Sequence, residues 1–182
     1  MKKVLVPIAN GTEEMEVVII IDILRRAGAD VILAGSSTKC ICSRGIIIEP
    51  DVIIDTLDYN LNLDLVAIPG GIAGVNNLIK SDKLKKIIQY NSSTAYIATV
   101  CAAPLILKEF GIFPKSAELT SHPSIEGQFG DYKYTTENVV VYKNIITSRG
   151  AGTTFDFALK LVELLYNIEL ANKIANDIVY KR

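Results

Sequence analysis

The residue best suited to covalent chemistry in this chain is Cys101, in the run Thr99-Val100-Cys101-Ala102-Ala103-Pro104. An apolar strand, Ala95 to Val100, leads straight into the cysteine. Small residues follow it, as an abrupt turn from strand to helix requires. Pro104 suits the first turn of that helix, where no backbone donor is needed. The pattern is that of a strand–nucleophile–helix elbow with sulfur in place of oxygen. At a helix N-terminus the positive end of the dipole should lower the thiol pKa and populate thiolate near neutral pH. The alternative reading is a buried core cysteine.

A carboxyl partner is found by placing Glu13 to Ala27 on a helical wheel. At about 100° per residue, Ile20, Ile23, Leu24 and Ala27 fall within about 80° of Glu16, whereas Glu14, Asp22, Arg25 and Arg26 cluster on the other side. Glu16 therefore belongs to the core-facing stripe, and Glu14 to the wet face. A buried carboxyl is protonated or paired, because desolvation disfavours its charge. Glycines in Ile68-Pro69-Gly70-Gly71-Ile72-Ala73-Gly74 let the backbone approach a ligand and aim N–H groups at it. With the Ala102 amide they are candidates for an oxyanion hole facing Cys101. His122, in Ser121-His122-Pro123, is the only histidine and so the only candidate imidazole base. Its alternative is a surface or packing role. Arg44 and Arg149 are candidates for contact with an anion or a partner subunit. Cys40 and Cys42 read as ordinary strand or loop residues, since one histidine and no second cysteine pair make a zinc site improbable. No metal ligand set and no Gly-x-Gly-x-x-Gly dinucleotide fingerprint is present.

The elements that must position these groups follow from the apolar pattern. Lys3–Ile8 and Asp30–Gly35 read as buried strands around the helix Glu13–Ala27, a β-α-β opening that implies a parallel sheet. Cys40–Ile54 reads as extended chain around a turn at Glu49-Pro50-Asp51. Asp64–Pro69 is a further strand, followed by short helices over Gly74–Ile79 and Asp82–Tyr90. A helix from about Ala102 to Phe110 follows Cys101. Val139–Tyr142 and Asn144–Ser148 form a hairpin, and helices cover Thr153–Tyr166 and Glu169–Val179. Cys101, Gly70-Gly71 and Glu16 all follow strand carboxyl ends, where α/β sheets gather ligands. No repeat or linker divides residues 1–182, so one domain is expected. The chain has 182 residues, 49% of them hydrophobic, and a net charge of −1. This argues against disorder and gives no electrostatic reason to expect nucleic acid as a partner. No segment is long and apolar enough to span a bilayer, and no targeting signal is evident, so a cytoplasmic protein is expected.

Taken together, these segments resemble the DJ-one/ThiJ/PfpI superfamily and, within it, the DJ-one subfamily. The matching pieces are Gly11-Thr12-Glu13-Glu14-Met15-Glu16, Cys42-Ser43-Arg44, Pro69-Gly70-Gly71, Val100-Cys101-Ala102-Ala103-Pro104, Ser121-His122-Pro123 and Thr147-Ser148-Arg149-Gly150. The resemblance implies a flavodoxin-like three-layer α/β sandwich, with a mostly parallel central sheet and helices on both faces, and a homodimer. It maps the family's reactive cysteine onto Cys101, its carboxyl partner onto Glu16 and its nearby histidine onto His122. The oxyanion donors become the Gly70, Gly71 and Ala102 amides. The chain departs from the pattern at Ala103, where the subfamily usually has glycine, and at Ala151, where proline is usual. Ala102 replaces the histidine typical of the protease-like branch, so peptidase activity is not expected.

The resemblance implies cofactor-independent conversion of 2-oxoaldehydes such as methylglyoxal and glyoxal to 2-hydroxy acids, with deglycase activity on glycated protein or nucleotide as a disputed extension. The Cys101 thiolate adds to the aldehyde, Glu16 shuttles protons through an enediol-like rearrangement, and water releases the product. The rival is a non-enzymatic redox sensor or chaperone, in which Cys101 oxidises to a sulfinate held by protonated Glu16. Both use the same residues.

Overall fold

Strands rich in Val, Ile and Leu on both faces can only sit in the middle of a sandwich, covered by helices above and below. The structure, a computed structural model describing residues 1–181, forms that arrangement. Its strands are β1 (Lys3–Ile8), β2 (Asp30–Gly35), β3 (Cys40–Ile41), β4 (Ile47–Ile48), β5 (Val52–Ile53), β6 (Leu65–Ile68), β7 (Tyr96–Val100), β8 (Glu118–Leu119), β9 (Lys133–Tyr134), β10 (Val139–Tyr142) and β11 (Ile145–Ser148). The helices are α1 (Glu14–Arg26), α2 (Ile72–Leu78), α3 (Asp82–Asn91), α4 (Pro104–Glu109), α5 (Thr154–Leu165) and α6 (Ile168–Asp177). The central sheet has the order β10-β11-β7-β6-β1-β2-β5, all parallel except the edge strand β10. This is the flavodoxin-like α/β sandwich that the family resemblance implies, built on the parallel sheet expected from the strand pattern.

Alternate residues of each strand feed two cores. Val4, Val6, Ile8, Ala98 and Val100 pack with α1, α5 and α6 on one face. Leu5, Val66, Ile68 and Ile97 pack with α2, α3 and α4 on the other. On α1, Ile20, Ile23 and Leu24 are buried, each contributing about 1.5–3 kcal/mol relative to an exposed position. Chain order runs outward from β1 to β2 and β5, then jumps back to β6, β7 and β11. The reversal between β1 and β6 opens a crevice above their carboxyl ends.

Three local features differ from the sequence expectation. The Cys40–Ile54 stretch divides into a separate β3–β4 ribbon and the short edge strand β5. Its six strand residues are too short a signal for periodicity to resolve. The helix after Cys101 starts at Pro104 rather than Ala102, because residues 101–103 are occupied in turning the chain. The third difference is Glu14, which is buried rather than on the wet face. The wheel sees only the helix itself, whereas the loop that covers Glu14 comes from Ser43 and Arg44, about thirty residues on.

Candidate active site

The crevice collects the three groups expected at strand ends. An open cleft of about 890 Å³ is lined by Glu16, Cys101, Gly71, Cys42, Arg44 and His122, among others. From β7 the chain turns at Cys101, which adopts φ 62°. That left-handed geometry costs an ordinary L-residue about 1–2 kcal/mol. Two backbone bonds hold it: the Cys101 N–H donates to the Ser148 carbonyl at 3.0 Å, and its carbonyl accepts the His122 N–H at 2.9 Å. The side chain thus projects from the crest of the elbow, partly open to solvent. Ala103 is buried with ordinary helical dihedrals, so its methyl sits where the subfamily's glycine would without straining the turn.

Glu16 enters from the first turn of α1 and is fully buried. Its Oε2 accepts the Gly70 amide at 2.6 Å. The carboxyl also lies near enough to the Cys101 thiol for each to shift the other's proton affinity, and Oε1 has no hydrogen-bond partner. Burial, the largest influence, raises the Glu16 pKa to about 7, against the opposing pulls of the Gly70 amide and the thiol. Burial likewise pushes the Cys101 thiol up, and the charge of Glu16 pushes it further, while the Gly71 and Ala102 amides pull it down. The expected lowering of the thiol pKa is therefore not what the site produces. The helix starts three residues too late for its dipole to outweigh burial. As anions the two groups repel, so they titrate as a coupled pair: one proton leaves near neutrality and the second stays bound well above it. Thiolate beside protonated Glu16 is the nucleophilic form of that pair.

The close approach of three chain segments depends on glycine. A Cβ at Gly70 would lie 2.6 Å from the Cys101 Cβ and 3.0 Å from Glu16 Oε2. One at Gly71, where φ is 84°, would lie 2.3 Å from the Gly11 carbonyl oxygen. The three candidate oxyanion donors divide in two. Gly71 and Ala102 direct their amides at the sulfur, whereas the Gly70 amide is committed to Glu16 and is not free to meet an anion.

His122 lines the cleft, but its Nδ1 caps the turn Pro123–Phe129, accepting the Ser124 N–H at 3.2 Å and meeting the Ser124 hydroxyl at 2.8 Å. With Nδ1 engaged in this cap, the part expected of a sole imidazole falls to Nε2. Arg44 lines the cleft mouth, with its backbone N–H held by Glu14 at 2.9 Å. Arg149 does not line the cleft and donates from Nη1 to the Thr136 carbonyl. Sequence reasoning missed Glu14 as a structural anchor. Burial pushes its pKa up, but its own backbone amide, the Ser43 hydroxyl and the Arg44 and Ile46 amides together hold it below the ordinary value. Cys40 and Cys42 are both buried, and burial raises the Cys42 thiol to about 11. Among the described residues no group of three or more His, Cys, Asp or Glu is placed to hold a metal ion.

Comparison with known proteins places this fold in a family. The chain is 39% identical to the Parkinson disease protein 7 homolog of Danio rerio over 99% of this chain and 98% of the relative. It is 36% identical to the glutathione-independent glyoxalase DJR-1.2 of Caenorhabditis elegans, over 91% of this chain and 89% of the relative. The structure of oxidized Toxoplasma gondii DJ-1 superposes with a TM-score of 0.95 at 36% identity, covering 100% of each chain. The family model of the DJ-1/PfpI family matches residues 2–164, and the chain belongs to that family.

Proposed function

We propose that this protein converts 2-oxoaldehydes such as methylglyoxal to 2-hydroxy acids without glutathione. The observation that carries the reading is the fully buried Glu16 carboxyl set against the Cys101 thiol, its pKa raised to about 7. The likeness to a glyoxalase-named relative supports the same reaction class.

In the proposed sequence the Cys101 sulfur bonds to the aldehyde carbon of methylglyoxal, and Glu16 gives its proton to the aldehyde oxygen. This forms a hemithioacetal. The Gly71 and Ala102 amides stabilise the developing oxyanion. Glu16, now ionised, removes the proton from C1 to give an enediolate and returns it to C2, while the proton of the C1 hydroxyl passes to the C2 oxygen, leaving a 2-hydroxythioester. Water cleaves the thioester, freeing lactate and restoring the thiol. In this reading Arg44, one of the cleft-lining residues, meets the carboxylate product. The test is methylglyoxal consumption in glutathione-free buffer. Wild type should turn over and Cys101→Ser should not; equal rates for the two would overturn the assignment.

A second reading is favoured by the partnerless Glu16 Oε1 and the solvent-accessible sulfur. A Cys101 sulfinate, formed by peroxide, would accept a hydrogen bond from protonated Glu16, and the protein would act as a redox sensor or chaperone. Peroxide-treated protein with no aldehyde turnover before treatment would favour this account. Deglycase activity belongs with the first reading and requires release of free amine from a glycated substrate.

A further inference from the structure

The segment after α6 carries another residue in the left-handed region, one of three that are not glycine among the described residues. Val179 adopts φ 60° and is exposed, although β-branched residues are among the least suited to the left-handed region. It occupies the position after the cap of α6 that usually belongs to glycine. The Tyr180 amide bonds the Ala175 carbonyl and the Val179 amide bonds the Asn176 carbonyl, the two bonds of a Schellman motif. Such strain persists only where surrounding contacts over-determine it. The contacts belong to Tyr180. Its ring stacks on Phe155 at 5.0 Å, and its hydroxyl donates to Asp156 Oδ1 at 2.7 Å. Burial and the Asp156 hydrogen bond raise the phenol pKa to about 12, so it remains a donor across the working pH range.

The bond continues toward the elbow. Asn138 Nδ2 donates to the other oxygen of Asp156 at 3.2 Å. The Asn138 carbonyl accepts the Ser148 hydroxyl at 2.7 Å and the Arg149 amide at 3.3 Å. Ser148 ends β11 and is fully buried, and its own carbonyl holds the Cys101 N–H. We propose that Tyr180 is a positioning residue for Cys101, acting through Asp156, Asn138 and Ser148 to fix the carbonyl that keeps the elbow in its left-handed turn. The inference rests on Cys101 being the reacting group, as in the proposed function.

The test reads the thiol itself, so failure of the glyoxalase reading leaves it intact. The second-order rate of Cys101 alkylation by iodoacetamide is measured at pH 7 for wild type, Tyr180→Phe, Asn138→Ala and the double variant, with folding checked by circular dichroism. Each single substitution should slow alkylation by about three- to ten-fold. The double variant should be no slower than the slower single within about two-fold, because both cut one line of contacts. Val179→Gly removes the strain but keeps the phenol, so it should raise the melting temperature and leave the rate within about two-fold of wild type. Loss of stability alone does not change the rate of a protein that stays folded. A Tyr180→Phe rate equal to wild type would overturn the proposal. So would single effects that multiply in the double variant.

Discussion

At the scale of single residues, Glu16 and Cys101 form a coupled pair, and the proposed turnover and the pH response are both argued from it. Glu16→Gln keeps a hydrogen-bond donor and the shape of the side chain but cannot shuttle a proton. Turnover of methylglyoxal should fall about 100-fold or more, while Cys101 alkylation stays within a few-fold of wild type. Glu16→Asp should also lose most turnover, because the shorter arm withdraws the acid by about one C–C bond length. Wild-type turnover in Glu16→Gln would remove Glu16 from the reaction. The same carboxyl shapes stability. It binds its proton more tightly folded than unfolded, so its contribution is fully present below the ordinary pKa of 4.5 and is lost as pH rises through about 7. Urea unfolding of wild type should therefore show about 3 kcal/mol of stability lost over that interval, a dependence that Glu16→Gln lacks. Cys40 and Cys42 are buried whereas Cys101 is partly open. Brief iodoacetamide treatment with mass mapping should label Cys101 well ahead of the other two, and equal labelling would contradict the elbow's role.

At the scale of elements, three strand ends converge because their connecting turns have almost no side-chain volume. Gly70 and Gly71 let the chain after β6 pass against the elbow and the start of α1. Gly70→Ala would drive a methyl into the Cys101 Cβ and the Glu16 carboxyl, so it should abolish rapid alkylation even where the protein still folds. Gly71→Ala meets backbone on every side and a positive φ, and should destabilise by more than about 2 kcal/mol in urea titration. Ala103 behaves in the opposite way. Its methyl is buried in an unstrained helical turn, so Ala103→Gly should lower stability by about 0.5–1 kcal/mol and leave the thiol rate unchanged.

At the scale of the whole molecule, one surface is unlike the rest. Met15, Val18, Ile46 and Ile47 are each more than half exposed, and Met15, Val18 and Ile46 line one apolar hollow with Ile19 beside the cleft mouth. A contiguous apolar patch of this kind fits a protein–protein contact. We expect a homodimer built on α1 and the loop bearing Arg44, and sedimentation at micromolar concentration should report twice the chain mass. Val18→Glu should shift the species to monomer, and a wild-type monomer at those concentrations would contradict the expectation. Among the described residues no helix is long and apolar enough to cross a membrane.

The order of apolar strands and helices, the buried stripe of α1 and the small residues around Cys101 are written locally, and periodicity alone was enough to read them. That is why the parallel sheet, the elbow and the burial of Glu16 are legible in the sequence. Other properties depend on segments distant in the chain, and only tertiary structure decided them. The Ser43–Arg44 loop buries Glu14, the Gly70 amide is taken by Glu16, and Ser124 engages the Nδ1 of His122. The thiol pKa rises because burial and a carboxylate from α1 outweigh a helix dipole that starts three residues downstream. A one-dimensional pattern records which face of an element is apolar; it does not record what comes to cover that face, and charge and proton affinity are set by the cover.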